Sequence, residues 1–250
     1  MIRFEQVSKT LADTRVLDQL DFEIKRGETF VIVGASGSGK SVTIKHMVRL
    51  MTPDEGRVHV GDETISTAKG QHLEDLRERF GYLFQGGALL AWLSIAENVA
   101  LPLREKTRMG EREILERAQH VLELVGLEND GDKRPEEVSG GMHKRAGLAR
   151  AIVRNPEIVL YDEPTSGLDP VTARTIDTLI ESLRASLGVT SVVVTHDLHS
   201  ALSIGTRIGM LHEGTLSEVA TPDRFIQSER PEVKAFLKAQ YITDRGVWEQ

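Results

Sequence analysis

The chain has 250 residues, enough for one large domain or two small ones. It contains no cysteine, which excludes disulfide bonds and thiolate-bound metal and fits a reducing compartment. Its net charge of −7 argues against a nucleic-acid-binding protein, because neutralising phosphate groups requires a basic surface.

No stretch of the sequence has the roughly 18 consecutive apolar residues that a membrane-spanning helix needs. The nearest candidate covers residues 86–103, where Glu97 and Asn98 interrupt the apolar run. Burying these polar side chains in lipid would be costly. Arg3 and Glu5 likewise interrupt the first residues, so no secretion signal is expected there. We therefore expect any role at a membrane to depend on a partner.

The first third of the chain alternates predicted strands with one predicted helix. Apolar and polar residues alternate over Ile2–Val7 and Leu20–Ile24, which indicates two half-buried strands. The β-branched run Thr29–Val33 is typical of a strand buried on both faces. A helical pattern follows from Lys40 to about Met51 and ends before Pro53.

The rest of the chain is predicted to be helical first and then to alternate strands with helices. The pattern predicts a strand at 57–60, a charged helix at 72–79 and a largely helical region at 87–155, which is clearly amphipathic at 111–125. It then predicts a strand at 158–161, a helix at 171–187 and a strand at 191–195. A tail with a short helical pattern begins at Pro231. The strand–helix–strand order indicates parallel βαβ units.

A phosphate-binding loop is predicted between the strand at 29–33 and the helix that follows it. Residues 34–41 match the pattern G-x-x-x-x-G-K-[ST] and read Gly34-Ala35-Ser36-Gly37-Ser38-Gly39-Lys40-Ser41. The glycines let backbone N–H groups turn toward one anion, and the helix start adds its positive end. We expect Lys40 to reach the β- and γ-phosphates and Ser41 to ligate Mg²⁺. A chance match by a Gly/Ser-rich turn is the alternative, which the flanking strand and helix disfavour.

Two carboxylates end the apolar strand that begins at Ile158. Asp162 and Glu163 follow it directly, and the carboxyl end of a parallel strand is where α/β sheets bind ligands. We expect Asp162 to hold Mg²⁺ through water and Glu163 to polarise the attacking water. By itself the pattern also fits an ordinary strand exit before Pro164.

Three further features have ordinary structural explanations when each is taken alone. Ser139 is a good N-cap for a helix, and the following glycines, Gly140 and Gly141, permit close backbone approach. His196 follows a predicted strand, where histidines are more often structural than catalytic. Gln85 ends the segment that begins at Tyr82, and a single glutamine carries no signal.

The joint order of these features resembles that of the ABC ATPase family. The set comprises the phosphate loop, Gln85, Ser139-Gly140-Gly141, Asp162-Glu163, Ser166-Gly167-Leu168-Asp169 and His196, and the resemblance spans Ile2 to Gln227. It implies an α/β fold with a P-loop (RecA-like) core, an antiparallel β edge and an inserted helical subdomain at about 87–156. Residues 1–230 then form a single ABC ATPase domain, and 231–250 form a C-terminal tail.

The resemblance also implies the cofactors, ATP and Mg²⁺, and a homodimer that sandwiches two ATP molecules. In such a dimer Ser139, Gly140 and Gly141 of one copy cap the γ-phosphate held by Lys40 of the other, so a positive helix end faces a triphosphate. The same resemblance gives roles to three more residues. Gln85 senses the metal and the partner copy, Asp169 communicates across the dimer, and His196 grips the γ-phosphate.

Two departures from the family pattern affect nucleotide binding. The usual Leu-Ser-Gly-Gly-Gln signature has Val138 in place of the Leu and Met142 in place of the Gln, and methionine cannot donate the hydrogen bonds of an amide. The aromatic residue that usually stacks on adenine aligns near Leu11. Base–aromatic stacking is worth on the order of 1–3 kcal/mol, so we expect looser adenine recognition.

The variant signature is similar to that of the Mla/Mce-type phospholipid transport ATPases. The similarity consists of Ser-Gly-Gly-Met followed by Lys144-Arg145, together with residues 84–89 and 97–103. It implies an integral-membrane permease, a membrane-anchored Mce-domain lipid-binding protein and, in some systems, a small cytosolic regulator. It also implies peripheral attachment at the cytoplasmic face of the inner membrane. Independently of this similarity, Lys144 and Arg145 are expected on a solvated helix face.

Two other functions stay open. A small-solute importer, for example for amino acids, is one, although Gln rather than Met is expected there at position 142. A soluble ABC ATPase acting on ribosomes or DNA is the other. Such proteins usually carry two motif sets or long coiled coils, and this chain has one set and no heptad repeat.

The apolar stretch Gly86–Leu93 has two interpretations. Its Leu89, Leu90 and Trp92 side chains could lie in the core of the helical subdomain, as apolar residues usually do. Alternatively they line a groove that receives an amphipathic helix of the permease. In that case Trp92 is the best candidate anchor, because Trp is enriched among interface hot spots.

Overall fold

The computed structural model describes residues 1–240, 242–243 and 246–247, which form two compact units. The first unit comprises Met1–Arg77 and Thr190–Gln250, and the second comprises Glu78–Val189. The helices and strands, in chain order, are β1 (Ile2–Leu11), β2 (Thr14–Ile24), β3 (Thr29–Val33), α1 (Lys40–Met47), β4 (Glu55–Val60), β5 (Glu63–Thr64), α2 (Gly70–Glu78), β6 (Phe80–Leu83), α3 (Ile95–Lys106), α4 (Glu111–Leu124), α5 (Gly140–Ile152), β7 (Ile158–Asp162), α6 (Pro170–Leu187), β8 (Thr190–Thr195), α7 (Leu198–Ile204), β9 (Arg207–His212), β10 (Thr215–Ala220), α8 (Pro222–Ile226), α9 (Pro231–Ala239), β11 (Ile242–Thr243) and β12 (Gly246–Val247).

The first unit contains an antiparallel sheet in the order β2-β1-β4-β5. In this sheet Ile2 lies opposite Ile24 on one side and Val60 on the other, and all three side chains are buried. β1 is longer than the predicted strand Ile2–Val7 because it resumes after an irregularity at Gln6, whose φ is 46°. The antiparallel sheet expected from the family resemblance is thus present.

The first unit also contains parallel strands. β3 lies between β8 and β9 and pairs in parallel with both, while β10 continues the sheet antiparallel to β9. All five residues of β3 and all six of β8 are buried. This confirms the prediction of strands covered on both faces. Helices α1 and α7 pack against these strands.

The second unit builds a helical cluster on two parallel strands. β6 and β7 pair in parallel, with Phe80 opposite Ile158. Helix α5 packs against β6, and α3 and α4 pack against α5. The approach of α5 to β6 requires Gly81, because a Cβ there would lie 2.2 Å from the Ala151 carbonyl oxygen. The predicted amphipathic helix is confirmed as α4, which buries Ile114 and Val121 on one face.

The polar residues that interrupt the apolar stretch 86–103 organise the start of α3. Ser94 and Glu97 form a capping box, since each side chain accepts a hydrogen bond from the other's backbone N–H, at 3.1 and 2.7 Å. Asn98 is fully buried; its Oδ1 accepts from Leu90 N–H at 2.7 Å, and its Nδ2 donates to the Leu90 carbonyl at 3.0 Å. Among the described residues, no helix is long and apolar enough to cross a membrane.

Several element bounds differ from the sequence prediction. Helix α1 ends at Met47 instead of about Met51, because Arg49 adopts a left-handed conformation (φ 51°) and Leu50 N–H turns back to the Lys45 carbonyl. The pattern also gave no signal for four elements after His196, namely α7, β9, β10 and α8. One reason is that the apolar run of β9 contains Gly209, which sits close to Phe30 and Leu216.

Candidate functional site

The phosphate-binding loop predicted at 34–41 connects β3 to α1 in the first unit. Two of its glycines are required by space or conformation. A Cβ on Gly34 would lie 2.5 Å from the Leu211 carbonyl oxygen, and Gly39, at the N-cap of α1, has φ 102°. Any side chain at these positions would displace the loop backbone. The loop therefore brings main-chain N–H groups to the N-terminus of α1, where anions are stabilised.

The donors of this loop fit a phosphate group. The Lys40 side chain is buried, and its Nζ donates to the carbonyls of Gly34 at 2.9 Å and Ala35 at 3.0 Å, so the ammonium lies across the loop. The Ser38 hydroxyl is buried and makes no hydrogen bond to any residue that the structure describes. Ser36 and Gly37 are exposed at the tip. The loop thus contains a buried cation and a buried hydroxyl that has no hydrogen-bond partner among the described residues.

A second strand end lies beside this loop within the first unit. β3 and β8 are parallel neighbours, and Val33 pairs with Thr195. Gly34 and His196, which follow these two residues, therefore leave the sheet from adjacent strands at the same edge. The His196 side chain is exposed, and its carbonyl accepts a hydrogen bond from Gln240 Nε2 at 2.8 Å.

Leu11 is the last residue of β1 and is half-buried beside the two-residue turn that leads to β2. The structure places another residue of this hairpin against the phosphate loop. Val16 Cγ1 lies 3.0 Å from the position that a Cβ on Gly39 would occupy. Sequence reasoning did not single out Val16, because an aliphatic residue within an alternating strand gives no separate signal.

In the second unit, Asp162 ends β7 and accepts a hydrogen bond from Tyr82 of β6. The Tyr82 hydroxyl donates to Asp162 Oδ2 at 3.3 Å, and the Tyr82 ring stacks on Phe84 with 4.0 Å between centroids. Burial, followed by the charge of Asp162, raises the pKa of Tyr82 well above its ordinary value, so the phenol stays a donor. Tyr82 thus fixes one oxygen of this carboxylate and satisfies it.

Glu163 is held in an uncommon backbone conformation directly after Asp162. Its φ is 50°, in the left-handed region, which costs a residue other than glycine of order 1–3 kcal/mol. Its carbonyl accepts three hydrogen bonds, from Ser166 Oγ at 2.9 Å, Ser166 N–H at 3.2 Å and Lys144 Nζ at 3.1 Å. These bonds offset the strain and set the direction in which the Glu163 side chain leaves the chain.

The predicted capped helix is confirmed as α5, which begins after Ser139. The Ser139 hydroxyl accepts a hydrogen bond from Met142 N–H at 3.3 Å. The two glycines differ in environment. Gly140 is exposed, whereas Gly141 is buried against α6, and a Cβ on it would lie 2.4 Å from Thr172 Cγ2. Gly141 is thus needed for helix contact, and Ser139 and Gly140 are the solvent-facing part of the signature.

The expectation that Lys144 lies on a solvated helix face is wrong. Its side chain is buried, and its Nζ donates to the backbone carbonyls of Gln85 and Glu163. Burial lowers the pKa of Lys144, while the carboxylates of Glu163 and Asp162 oppose that shift. The neighbouring Arg145 donates to the carbonyls at the end of α4 rather than facing solvent alone.

Asp169 caps α6. One carboxylate oxygen accepts hydrogen bonds from the N–H groups of Val171 and Thr172, each at 3.0 Å. Hydrogen bonding to Thr172 is the main cause that holds the pKa of Asp169 below its ordinary value. The carboxylate therefore stays ionised and fixed at an exposed helix start.

Comparison with known proteins identifies the family. The family model described as ABC transporter matches residues 17–166. The chain belongs to the ABC transporter family. The dimeric structure of a post-hydrolysis state of an ATP-binding cassette bound to ADP and Pi matches this chain with a TM-score of 0.81 and 34% identity, over 89% of this chain and 99% of that one. The fold and the family together make the chain an ATPase.

Several ATP-binding proteins named for transport systems are similar to this ABC ATPase along most of its length. A probable ribonucleotide transport ATP-binding protein mkl from Mycobacterium leprae is 37% identical over 100% of this chain and 72% of that protein. The intermembrane phospholipid transport system ATP-binding protein MlaF of Haemophilus influenzae is 34% identical over 96% of this chain and 91% of that protein. A probable amino-acid ABC transporter ATP-binding protein from Sinorhizobium fredii is also 34% identical, over 96% and 97%.

Each unit of this ABC ATPase brings some of the predicted site residues together. The first unit places the phosphate loop and the residue after β8, His196, at one sheet edge. The second unit gathers the backbone of Gln85 and Glu163 around Lys144, with Asp162 preceding Glu163. The structure describes no group of three or more His, Cys, Asp or Glu side chains fit to hold a metal. An Mg²⁺ site with one carboxylate, a hydroxyl and nucleotide phosphates needs no such group.

Sequence reasoning missed one residue that matters to the site, Gln240, and misplaced another, Lys144. Gln240 holds the segment after His196, and Lys144 holds Gln85 and Glu163. Gln240 lies in the predicted tail, where a lone glutamine resembles any surface residue. Lys144 was noticed only as part of a family signature. In both cases the partner is a distant backbone carbonyl, for which the sequence contains no local signal.

Proposed function

We propose that this ABC ATPase belongs to a transport system of the Mla/Mce type and drives phospholipid transport between membranes. The relatives alone do not decide the substrate, because the phospholipid and the amino-acid subunits match the chain at equal identity. The observation that carries the proposal is Met142 in the signature, with the exposed Ser139 and Gly140 before it. An importer of small solutes is expected to have glutamine there.

We assign nucleotide binding to the phosphate loop. Backbone N–H groups of Ala35, Ser36 and Gly37, the hydroxyl of Ser38 and the ammonium of Lys40 contact the phosphates, and the N-terminus of α1 adds its positive end. Leu11 contributes an aliphatic contact to adenine. The unsatisfied hydroxyl of Ser38 and the glycines required at 34 and 39 support this assignment.

We assign hydrolysis to Glu163, with His196 as a donor to the γ-phosphate. Glu163 orients the attacking water and accepts its proton, which is the role of a general base. Ser41, Asp162 and Gln85 provide oxygen ligands for Mg²⁺, which neutralises charge that develops on the phosphate oxygens. The strained, triply hydrogen-bonded backbone of Glu163 supports a pre-set carboxylate.

We assign the working form to a homodimer. Ser139, Gly140 and Gly141 of one copy face the triphosphate bound by Lys40 of the other, and Asp169 lies near this boundary. The support is that Ser139 and Gly140 are exposed at a helix start, where a phosphate is stabilised. The cassette structure reported above, a dimer with ADP and Pi, agrees with this assembly.

The remaining partners follow from the proposed transport class. They are an integral-membrane permease, a Mce-domain lipid-binding protein and, in some systems of this class, a small cytosolic regulator, with no nucleic acid. The ATPase is placed peripherally, at the cytoplasmic face of the inner membrane. The Trp92 side chain supports a docking partner, because 72% of its surface is exposed. Burying this apolar surface against a partner is favourable.

Co-purification of the affinity-tagged chain from its own cells, in mild detergent, tests the proposal. We expect a permease, a Mce-domain protein and bound phospholipid in the eluate. Recovery of a permease with a solute-binding protein would instead support the importer, which the amino-acid relative favours. Recovery of nucleic acid or ribosomes without a membrane protein would contradict any transport function.

A further inference from the structure

Lys144 is a buried ammonium whose hydrogen bonds go to two segments assigned to hydrolysis. The side chain is 6% exposed, and both of its described acceptors are backbone carbonyl oxygens, of Gln85 and Glu163. A lysine is seldom buried, since its charge must be compensated by hydrogen bonds or by opposite charge. This position on α5 therefore requires a long cationic donor rather than an apolar side chain of the same length.

The contact to Glu163 acts on its strained backbone. Of the three donors to the Glu163 carbonyl, two belong to Ser166 in the same turn. Lys144 is the third donor and comes from a different element, α5. Lys144 therefore ties the left-handed residue to α5, in addition to the hydrogen bonds within its own turn.

The contact to Gln85 acts on the loop that leaves β6. Beyond Gln85 the same helix holds this loop a second time, through Arg150, which donates to the carbonyls of Gly87 at 2.9 Å and Ala88 at 2.7 Å. Loss of Lys144 would therefore release Gln85 without detaching the loop as a whole. This separation makes the contribution of Lys144 measurable.

We propose that Lys144 is a positioning residue for ATP hydrolysis, whose ammonium ties the backbone of Gln85 to that of Glu163. Helix α5, which begins after Ser139, then positions the side chains of Gln85 and Glu163 together. The inference rests on the roles proposed above for Gln85 and Glu163. It adds a residue that acts on hydrolysis through its two carbonyl acceptors.

Three variants of the full-length chain test this role. Lys144→Met keeps a side chain of similar length and removes the charge and the donors, while Lys144→Arg keeps both. We expect kcat to fall about tenfold or more in the Met variant, with KM for ATP within about twofold, because misplaced catalytic groups cost rate rather than binding. The Arg variant should recover most of the lost rate. Lys133→Met, which removes an exposed lysine paired with Asp130, is the matched control.

Backbone hydrogen exchange supplies a readout that does not depend on turnover. Ser166 N–H donates to the Glu163 carbonyl, so its exchange should be faster in Lys144→Met and unchanged in Lys133→Met. An unchanged kcat or an unchanged Ser166 exchange in a folded Met variant overturns the proposal, and so does a Lys144→Arg variant as slow as the Met variant. Should the Met variant unfold, Lys144→Gln, with one amide donor, takes its place under the same criteria. If Glu163→Gln stays active, the role assigned to Glu163 fails, while Ser166 exchange still tests the tie.

Discussion

Gln240 holds the backbone of His196 from the end of α9. Its Nε2 donates to the His196 carbonyl at 2.8 Å, and its Oε1 accepts from Leu198 N–H, also at 2.8 Å. One amide side chain thus satisfies a carbonyl and an N–H on either side of Asp197. A residue of the predicted tail thereby fixes the segment that carries the proposed γ-phosphate donor.

Replacing Gln240 should weaken hydrolysis through His196. We expect Gln240→Ala to lower kcat about threefold to tenfold, because each lost hydrogen bond of this kind is worth about 1 kcal/mol and the segment becomes looser. ATP binding should change little. In a double variant with His196→Ala the two effects should not add, since both act on one group. Gln227→Ala, at an exposed position, serves as control, and additive losses would separate Gln240 from His196.

Glu163→Gln should keep ATP binding and lose most turnover. Removing the base leaves the phosphate loop intact, so we expect kcat to fall by about 100-fold or more while the variant accumulates as an ATP-bound dimer. Lys40→Ala should behave differently and lose nucleotide affinity itself. Phosphate release, nucleotide titration and size-exclusion chromatography measure the three quantities. Turnover near that of the wild type in Glu163→Gln would take Glu163 out of the catalytic role.

Leu11→Tyr should tighten ATP binding about fivefold, because stacking of a ring on a base is worth on the order of 1–3 kcal/mol. Discrimination against GTP should improve only slightly, since every base has a π-face. Val16→Tyr is the informative comparison, because Val16 lies against the phosphate loop at Gly39. Fluorescence titration with both nucleotides decides between them. A gain at Val16 alone would move the adenine contact from β1 to β2.

Trp92→Glu should leave the isolated chain folded and able to bind nucleotide, because 72% of the Trp92 surface is exposed. The core interpretation is thus wrong for Trp92, although Leu89 and Leu90 nearby are half-buried. We expect the variant to fail to assemble with the permease, measured by pull-down, with an unchanged melting temperature. Leu115→Glu, an exposed apolar position on α4, is the control. Normal assembly of Trp92→Glu would exclude it as an anchor.

Acidification should destabilise the first unit through His46. Burial lowers the pKa of His46, the hydrogen bond between its Nδ1 and the Val42 carbonyl opposes that shift, and the charges of Lys9 and Asp54 act in opposite directions as smaller causes. The folded state then binds fewer protons than the unfolded state, so stability falls as pH drops below about 6.5, by at most about 1.4 kcal/mol per pH unit. Urea unfolding at pH 7.5 and 5.5 measures this loss. His46→Gln should reduce it, while the exposed control His120→Gln should retain it.

Local patterns were sufficient to predict much of the fold. β3 and β7 were predicted because buried parallel strands are continuous apolar runs, and the phosphate loop because its whole pattern is contiguous. Lys144 could not be placed in the same way. Its acceptors, Gln85 and Glu163, are 59 and 19 residues away, and a lysine on a helix is normally solvated. Whether it is buried depends on which other elements cover α5.

Gln240 shows the same limit at the other end of the chain. Its acceptor, the His196 carbonyl, lies 44 residues away in the sequence, so the contact depends on where α9 packs. Irregular backbone conformations could not be predicted from the sequence either. The left-handed conformation of Glu163 follows from hydrogen bonds supplied by Ser166 and Lys144, not from any turn signal in Asp162-Glu163-Pro164.

The bonds from α5 to the loop at 85–88 share one property, which is that every acceptor is a main-chain oxygen. Such bonds place no demand on the side chains of the loop. Two positions are constrained for other reasons: a Cβ on Gly87 would lie 2.6 Å from the His143 ring, and Ala88 adopts a left-handed conformation with φ 51°. Helix α5 therefore fixes the backbone of the loop while leaving its other side-chain identities open. A side chain at Gly86, where a Cβ would meet no atom within 4 Å, can therefore change the surface of the loop without any change in α5.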